Sequence, residues 1–193
     1  MNTCVKLAAT STVAVMLAFS GPAMADEHEI ATADVEQYFE GIQQEFTEIV
    51  QTGEYQRMLA WGEENLGDEA RFHMNSALLH DGQPKAMTTI TVDKTDLGRG
   101  TRLLLAGFQG EDPIDDYSLQ VEVVEVVSHG PQAATVRVTW QETGTFSPGA
   151  MGGQAAGNPE LSFEAMHACS HVVHRNGDRM MIGLTTCVGE TRL

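Results

Sequence analysis

Basic residues are scarce: eleven Lys and Arg stand against 27 Asp and Glu in 193 residues, a formal net charge of −16. A surface of that sign repels phosphate backbones and anionic lipid, which excludes nucleic acid as a partner and favours solubility. Cysteine is also rare, with three residues, Cys4, Cys169 and Cys187. The chain therefore has neither the disulfide density of a miniprotein nor the paired Cys-x-x-Cys of a structural zinc site. No stretch approaches the ~20 apolar residues of a spanning helix. Gly-x-Ser-x-Gly, Walker-type and His-Glu-x-x-His signatures are missing. No Asp-x-Asp-x-Asp-Gly loop turns the acidity into a calcium site, so it reads as a solvated surface.

What is present begins with a leader. Lys6 precedes an apolar run from Leu7 to Phe19, then come Gly21-Pro22 and Ala23-Met24-Ala25 before Asp26. This pattern predicts a secretory signal, residues 1–25, cleaved after Ala25. Cys4 leaves with it. Losing one base and no acid moves the net charge of −16 to −17. The mature chain, 26–193, is expected to be a single domain, periplasmic or secreted, with no integral membrane segment.

Downstream, the periodicity changes in a readable order. Val35, Phe39, Ile42, Phe46, Ile49 and Val50 share one helical face, with Asp34 as expected cap and Gly53 as stop. A second helix is expected from Glu54 to about Asn65. Ala70, Phe72 and Met74 alternate with Arg71 and His73, and Met87 to Val92 gives a second strand after Asp81-Gly82. Asp93 or Thr95 can cap a third helix through Leu97 and Leu103–Leu105. Tyr117–Val127 and Ala134–Phe146 then read as long strands in the middle of a sheet. In the latter, Ala134, Val136, Val138 and Trp140 face one way. The Gly-rich stretch 147–160 has no periodicity and is expected to be a mobile loop. Ser162–Arg175 and Arg179–Gly189 form a hairpin about Asn176-Gly177.

Helices first and long antiparallel strands last is an α+β order. With it, Gln51-Thr-Gly-Glu-Tyr-Gln-Arg-Met-Leu-Ala-Trp-Gly-Glu-Glu-Asn-Leu-Gly-Asp-Glu-Ala-Arg-Phe72 resembles the "Gly-Asp, short helix, strand" opening of the nuclear transport factor 2-like, or SnoaL-like, superfamily. Glu54 stands where Asp is usual. The Tyr117 strand and the Ala134 strand ending Trp140-Gln141-Glu142 match the same pattern. The resemblance covers roughly residues 34–189. It implies a cone-shaped domain whose N-terminal helices pack on a curved, mostly antiparallel sheet. That superfamily hosts isomerases, dehydratases, hydrolases and plain binding domains, so fold does not select among them.

Two exported cysteines on adjacent strands are expected to form a disulfide. Strand arithmetic attaches a condition. A two-residue Asn176-Gly177 loop sets Cys169 opposite Leu184 and Cys187 opposite Met166, on opposite faces. A three-residue loop or one bulge brings them onto one face, opposite Thr185 and His167. The rival reading is metal, through His167, Cys169 and His171 of one strand with Cys187 beside them. For acid–base chemistry the candidates are His73, Tyr38, Tyr55, Asp93, Arg137 and Glu142, none of which forms a pair at catalytic spacing. The leading expectation is a noncatalytic exported domain, without cofactor, binding a small apolar ligand or a protein partner in a hydrophobic pocket and forming a homodimer through one sheet face. The alternative is a SnoaL-like pocket enzyme.

Overall fold

The computed structural model describes residues 29–107, 114, 116–146 and 161–193. The expected leader and its cleavage point, most of the loop before Tyr117 and the Gly-rich stretch 147–160 lie outside the described residues. The elements in order are α1 (Thr32–Thr52), α2 (Arg57–Asn65), β1 (Leu66–His80), β2 (Gln83–Asp93), α3 (Lys94–Gly107), β3 (Ser118–Ser128), β4 (Ala133–Phe146), β5 (Leu161–Asn176) and β6 (Arg179–Arg192).

Helix α1 buries the expected stripe of Val35, Phe39, Ile42, Ile49 and Val50, and ends at Gly53 with φ 74°. Its cap lies three residues earlier than expected, at Ala31, which makes no side-chain cap. Asp34 instead sits in the first turn, where a carboxylate complements the helix dipole, and pairs with Arg175 at 2.9 Å. Helix α2 begins at Arg57 rather than Glu54, because the chain first makes a turn in which the Arg57 N–H donates to the Glu54 carbonyl at 2.9 Å; the Arg57 side chain pairs with Glu48 and Glu54, each at 3.0 Å. No residue of α2 is buried. For α3 the expected cap holds: Asp93 Oδ1 accepts the Asp96 N–H at 2.8 Å.

The six strands form one mixed sheet in the order β2-β1-β6-β5-β4-β3. All neighbours are antiparallel except β1 and β6. The long strand from Tyr117 is thus an edge, not the middle of the sheet. The centre belongs to β6 and β5, because β1 pairs in parallel with β6 and brings β2, its hairpin partner, to the other edge. One face carries the core. Val35, Phe39 and Ile42 of α1 meet Leu66, Ala70, Ala134, Val136, Val138, Val173 and Ile182, with Trp61 of α2 and Leu97 of α3 against them. Among the described residues nothing covers the opposite face, which exposes Met166, Leu184 and Val188 among threonines.

The β5–β6 hairpin is irregular, as the disulfide argument required, but in a different register. Asn176 pairs with Arg179, so the loop is Gly177-Asp178, one residue later than expected, and Gly177 takes φ 62°. A bulge at Gly183 then separates Val173↔Ile182 from Val172↔Leu184. Moving the loop by one residue advances the pairing by two and the bulge advances it by one more, so Cys169 lies directly opposite Cys187 rather than opposite Thr185. The two are joined, with Cα atoms 4.1 Å apart.

Candidate functional site

The covered face of β4 alternates apolar side chains until its end: Ala134, Val136, Val138, Trp140, and then Glu142. Strand geometry commits that carboxylate to the helix side of the sheet. It lands beside Tyr117, whose hydroxyl donates to it. Burial pushes the Glu142 carboxyl above its usual range, and the tyrosine hydrogen bond opposes this in part. Burial also raises Tyr117, followed by the Glu142 charge, the hydrogen bond to Glu142 and Tyr55. Around the pair stand Val50 and Leu119, with Phe46, Tyr55, Met58, Ile114, Trp140 and Phe163 packed against them. A carboxyl and a phenol in an apolar surround can hydrogen-bond a carbonyl or hydroxyl, and can exchange a proton with it.

A second polar group lies deeper. His171, only 3% exposed, faces the core, not a polar surface. Trp140 Nε1–H donates to its Nε2 at 3.4 Å, and its Nδ1 lies 2.8 Å from Thr185 Oγ1. Since indole only donates, Nε2 is bare and the proton resides on Nδ1, bonded to Thr185. Burial pushes His171 down to about 4. Phe39 covers the ring at a centroid distance of 5.3 Å. With both nitrogens engaged, this is a satisfied core histidine. His167, opposite Trp140, is half-buried and lowered by desolvation, with Nε2 3.5 Å from Ser76 Oγ. Its ring packs against Gly189, where an added Cβ would run into the ring and the Met166 carbonyl oxygen.

The cysteines and histidines of the metal reading do not assemble. Cys169 and Cys187 are spent on each other, and among the described residues no three His, Cys, Asp or Glu side chains come together as a metal site. The other acid–base candidates are scattered. His73 is on the bare face, with Nδ1 2.8 Å from Thr91 Oγ1. Arg137 is on that face too, paired with Glu125 at 2.9 Å. Asp93 caps α3. Tyr55 lies near Tyr117, and Tyr38 donates to the Asn65 carbonyl at 3.4 Å. Tyr38 also lines an open cleft of about 410 Å³ with Asp34, Gln37, Arg175, Asp178 and Met180, between α1 and the β5–β6 turn. Tyr117 is the residue that sequence reasoning missed as a partner. The signal for Glu142 was its parity: a charge at the position where the buried face of β4 continues.

No family model and no curated protein matches the chain. Solved structures do. A protein from Kribbella flavida aligns over 81% of this chain and 88% of its own at 13% identity, with a TM-score of 0.52. The beta subunit of the benzoate 1,2-dioxygenase from Burkholderia mallei aligns over 83% of this chain and 91% of its own at 15% identity, with a TM-score of 0.49. A nuclear transport factor 2-like superfamily protein from Salmonella enterica aligns over 83% and 94% at 13% identity, with a TM-score of 0.48. At these identities the likeness is one of fold. The class that architecture defines is an α+β domain with three helices on one face of a six-stranded mixed sheet. That arrangement is consistent with the nuclear transport factor 2-like, or SnoaL-like, fold that the sequence resembles.

Proposed function

We propose that the chain is an exported, noncatalytic binding domain that seats a small, largely apolar molecule at the Tyr117–Glu142 end of its covered face. The observation that carries this reading is the Tyr117–Glu142 hydrogen-bonding pair set in apolar and aromatic walls, beneath a helix, α2, that buries none of its own residues. Phe46, with Trp61 edge-on at 4.8 Å, holds α2 down, so admitting a ligand requires that contact to yield. Export is supported by the joined cysteines, since such bonds persist in oxidising compartments. Native mass spectrometry of the protein purified from a periplasm tests the reading. We expect a bound mass that denaturation releases and that Glu142→Gln retains. A protein free of bound mass and unmoved in melting by a panel of apolar ketones and alcohols refutes it.

The second reading is a pocket enzyme, an isomerase, dehydratase or hydrolase, with Glu142 and Tyr117 as acid and base. The raised carboxyl beside a phenol favours it. The same variant separates the two: Glu142→Gln keeps hydrogen-bonding shape but cannot transfer a proton, so an enzyme loses turnover where a binder keeps its ligand.

A further inference from the structure

The two edges of the sheet are built differently. Edge strand β3 breaks its ladder with a bulge between Val123 and Glu125 and places Glu122 and Glu125 along its length. Both devices discourage pairing with another strand. Edge strand β2 is hydrogen-bonded on one side, to β1, and every residue from Gln83 to Asp93 is exposed except Val92. Between Lys85 and Asp93 runs Ala-Met-Thr-Thr-Ile-Thr-Val, with no charge, proline or glycine. Met87 is 81% and Ile90 43% exposed. From Ala86 onward the strand is regular, its one bulge falling at Lys85. An uncharged, β-branched, unbulged edge is what a strand-pairing surface requires.

The strand is also complementary to itself. Antiparallel self-pairing about a two-fold axis keeps outward-pointing backbone groups opposite one another only if the paired residue numbers have an even sum. With the axis at Thr89, Met87 faces Thr91, Thr88 faces Ile90, Ala86 faces Val92, and Lys85 of each copy faces Asp93 of the other. The single cation and single anion bounding the neutral run are thus matched twice. Lys85 has no ion-pair partner among the described residues, and Asp93 is exposed and uses only Oδ1 for the α3 cap.

We propose that β2 is the docking strand for a second copy of this chain, pairing antiparallel about Thr89 to run one sheet through both protomers. The proposal is independent of what, if anything, the interior binds. It places the contact at an edge instead of on the bare face.

The test uses the mature chain, 26–193, in which the two native cysteines are already joined. In Thr89→Cys the new cysteines of two copies face each other within the ~4.5–5.5 Å Cα separation of paired strands, inside disulfide reach. In Thr91→Cys they lie about 13 Å apart along the strand. Under copper-phenanthroline and air, we expect Thr89→Cys to give a covalent dimer on a nonreducing gel and Thr91→Cys to remain monomeric. Light scattering across a concentration series should show wild type dimerising. Lys85→Glu, which sets like charges opposite each other twice, should weaken the dimer by about tenfold or more, with the effect shrinking in salt. Lys85 is exposed, so an unchanged melt and circular dichroism confirm that the variant folds. A monomer at every concentration overturns the proposal. So does equal cross-linking at both positions, or a dimer indifferent to Lys85→Glu and uncoupled from Thr89→Cys, which would assign the contact to the Met166–Leu184–Val188 face.

Discussion

Reducing the Cys169–Cys187 bond should destabilise the protein without unfolding it, and the structure separates two contributions. The hairpin ladder holds the two residues opposite each other whether or not the sulfurs are joined, so the native state has little to lose on reduction. The unfolded state gains the freedom of a loop with a sequence separation of 18. In the chain-entropy relation a loop of that size is worth about 11 cal/mol/K, or about 3 kcal/mol at 25 °C. For a chain of this length that is a fall in Tm of about 6–12 °C. Replacing both residues by alanine adds a packing loss, because Cys169 and Cys187 are 7% and 4% exposed and face the core with Val138. Removing two buried sulfurs from that layer should cost roughly 1–2 kcal/mol more, on the scale of a buried methylene each. The assay is urea unfolding of oxidised wild type, reduced wild type and the Cys169→Ala, Cys187→Ala double variant. The expected order of midpoints is oxidised, reduced, double alanine. Two free thiols counted in denatured protein taken directly from a periplasm would refute the bond itself. A reduced protein melting within about 2 °C of the oxidised one would refute the entropic account.

Three other outcomes are expected. His171 has a folded value depressed to about 4 from 6.5, so its contribution is complete above about pH 6.5 and is lost as pH falls through about 4. The full loss is about 3 kcal/mol, and His171→Leu should flatten that limb of the urea midpoint-versus-pH curve. Glu142 has the opposite sign: its raised value means the folded state holds its proton longer, so stability declines as pH rises above the ordinary 4.5. The advantage of Glu142→Gln over wild type should therefore grow from pH 4 to pH 8, and an advantage that shrinks over that range refutes the burial argument. Intact mass of the chain exported by a Gram-negative cell should begin at Asp26, and retention of Met1 would refute both export and the compartment on which the disulfide rests.

The helix stripe of α1 was legible because one periodicity, 3.6, ran unbroken from Val35 to Val50, and the β4 face was legible because period two ran from Ala134 to Trp140. What sequence could not supply was neighbourhood between strands distant in the chain. Nothing in the local pattern of β1 says that it lies parallel to β6, since parallel pairing is set by where the intervening helices fold back. That one pairing moved β3 from the expected centre to the edge. The acid–base site failed for the same reason. Glu142 was recognisable, but its partner Tyr117 precedes β3, and the two meet only through the register Leu119↔Glu142.

The hairpin shows how such an error propagates and why function corrects it. Sliding an antiparallel register by one residue turns a same-face pair into an opposite-face pair, so each irregularity changes what two strands can build together. From Asn176-Gly177 taken as a two-residue loop, the cysteines cannot meet. Moving the loop one place, to Gly177-Asp178, advances the pairing by two in residue sum, because both strands lose or gain one residue at the turn. The extra residue at Gly183 advances it by one more. Three together carry Cys169 from Leu184 to Cys187. Glycine is the residue suited to both places: at 177 it takes φ 62°, and at 183 an added Cβ would come within 3.1 Å of the His174 ring. A bond between two buried cysteines thus depends on glycines at the turn and at the bulge, neither of them adjacent in sequence to a cysteine.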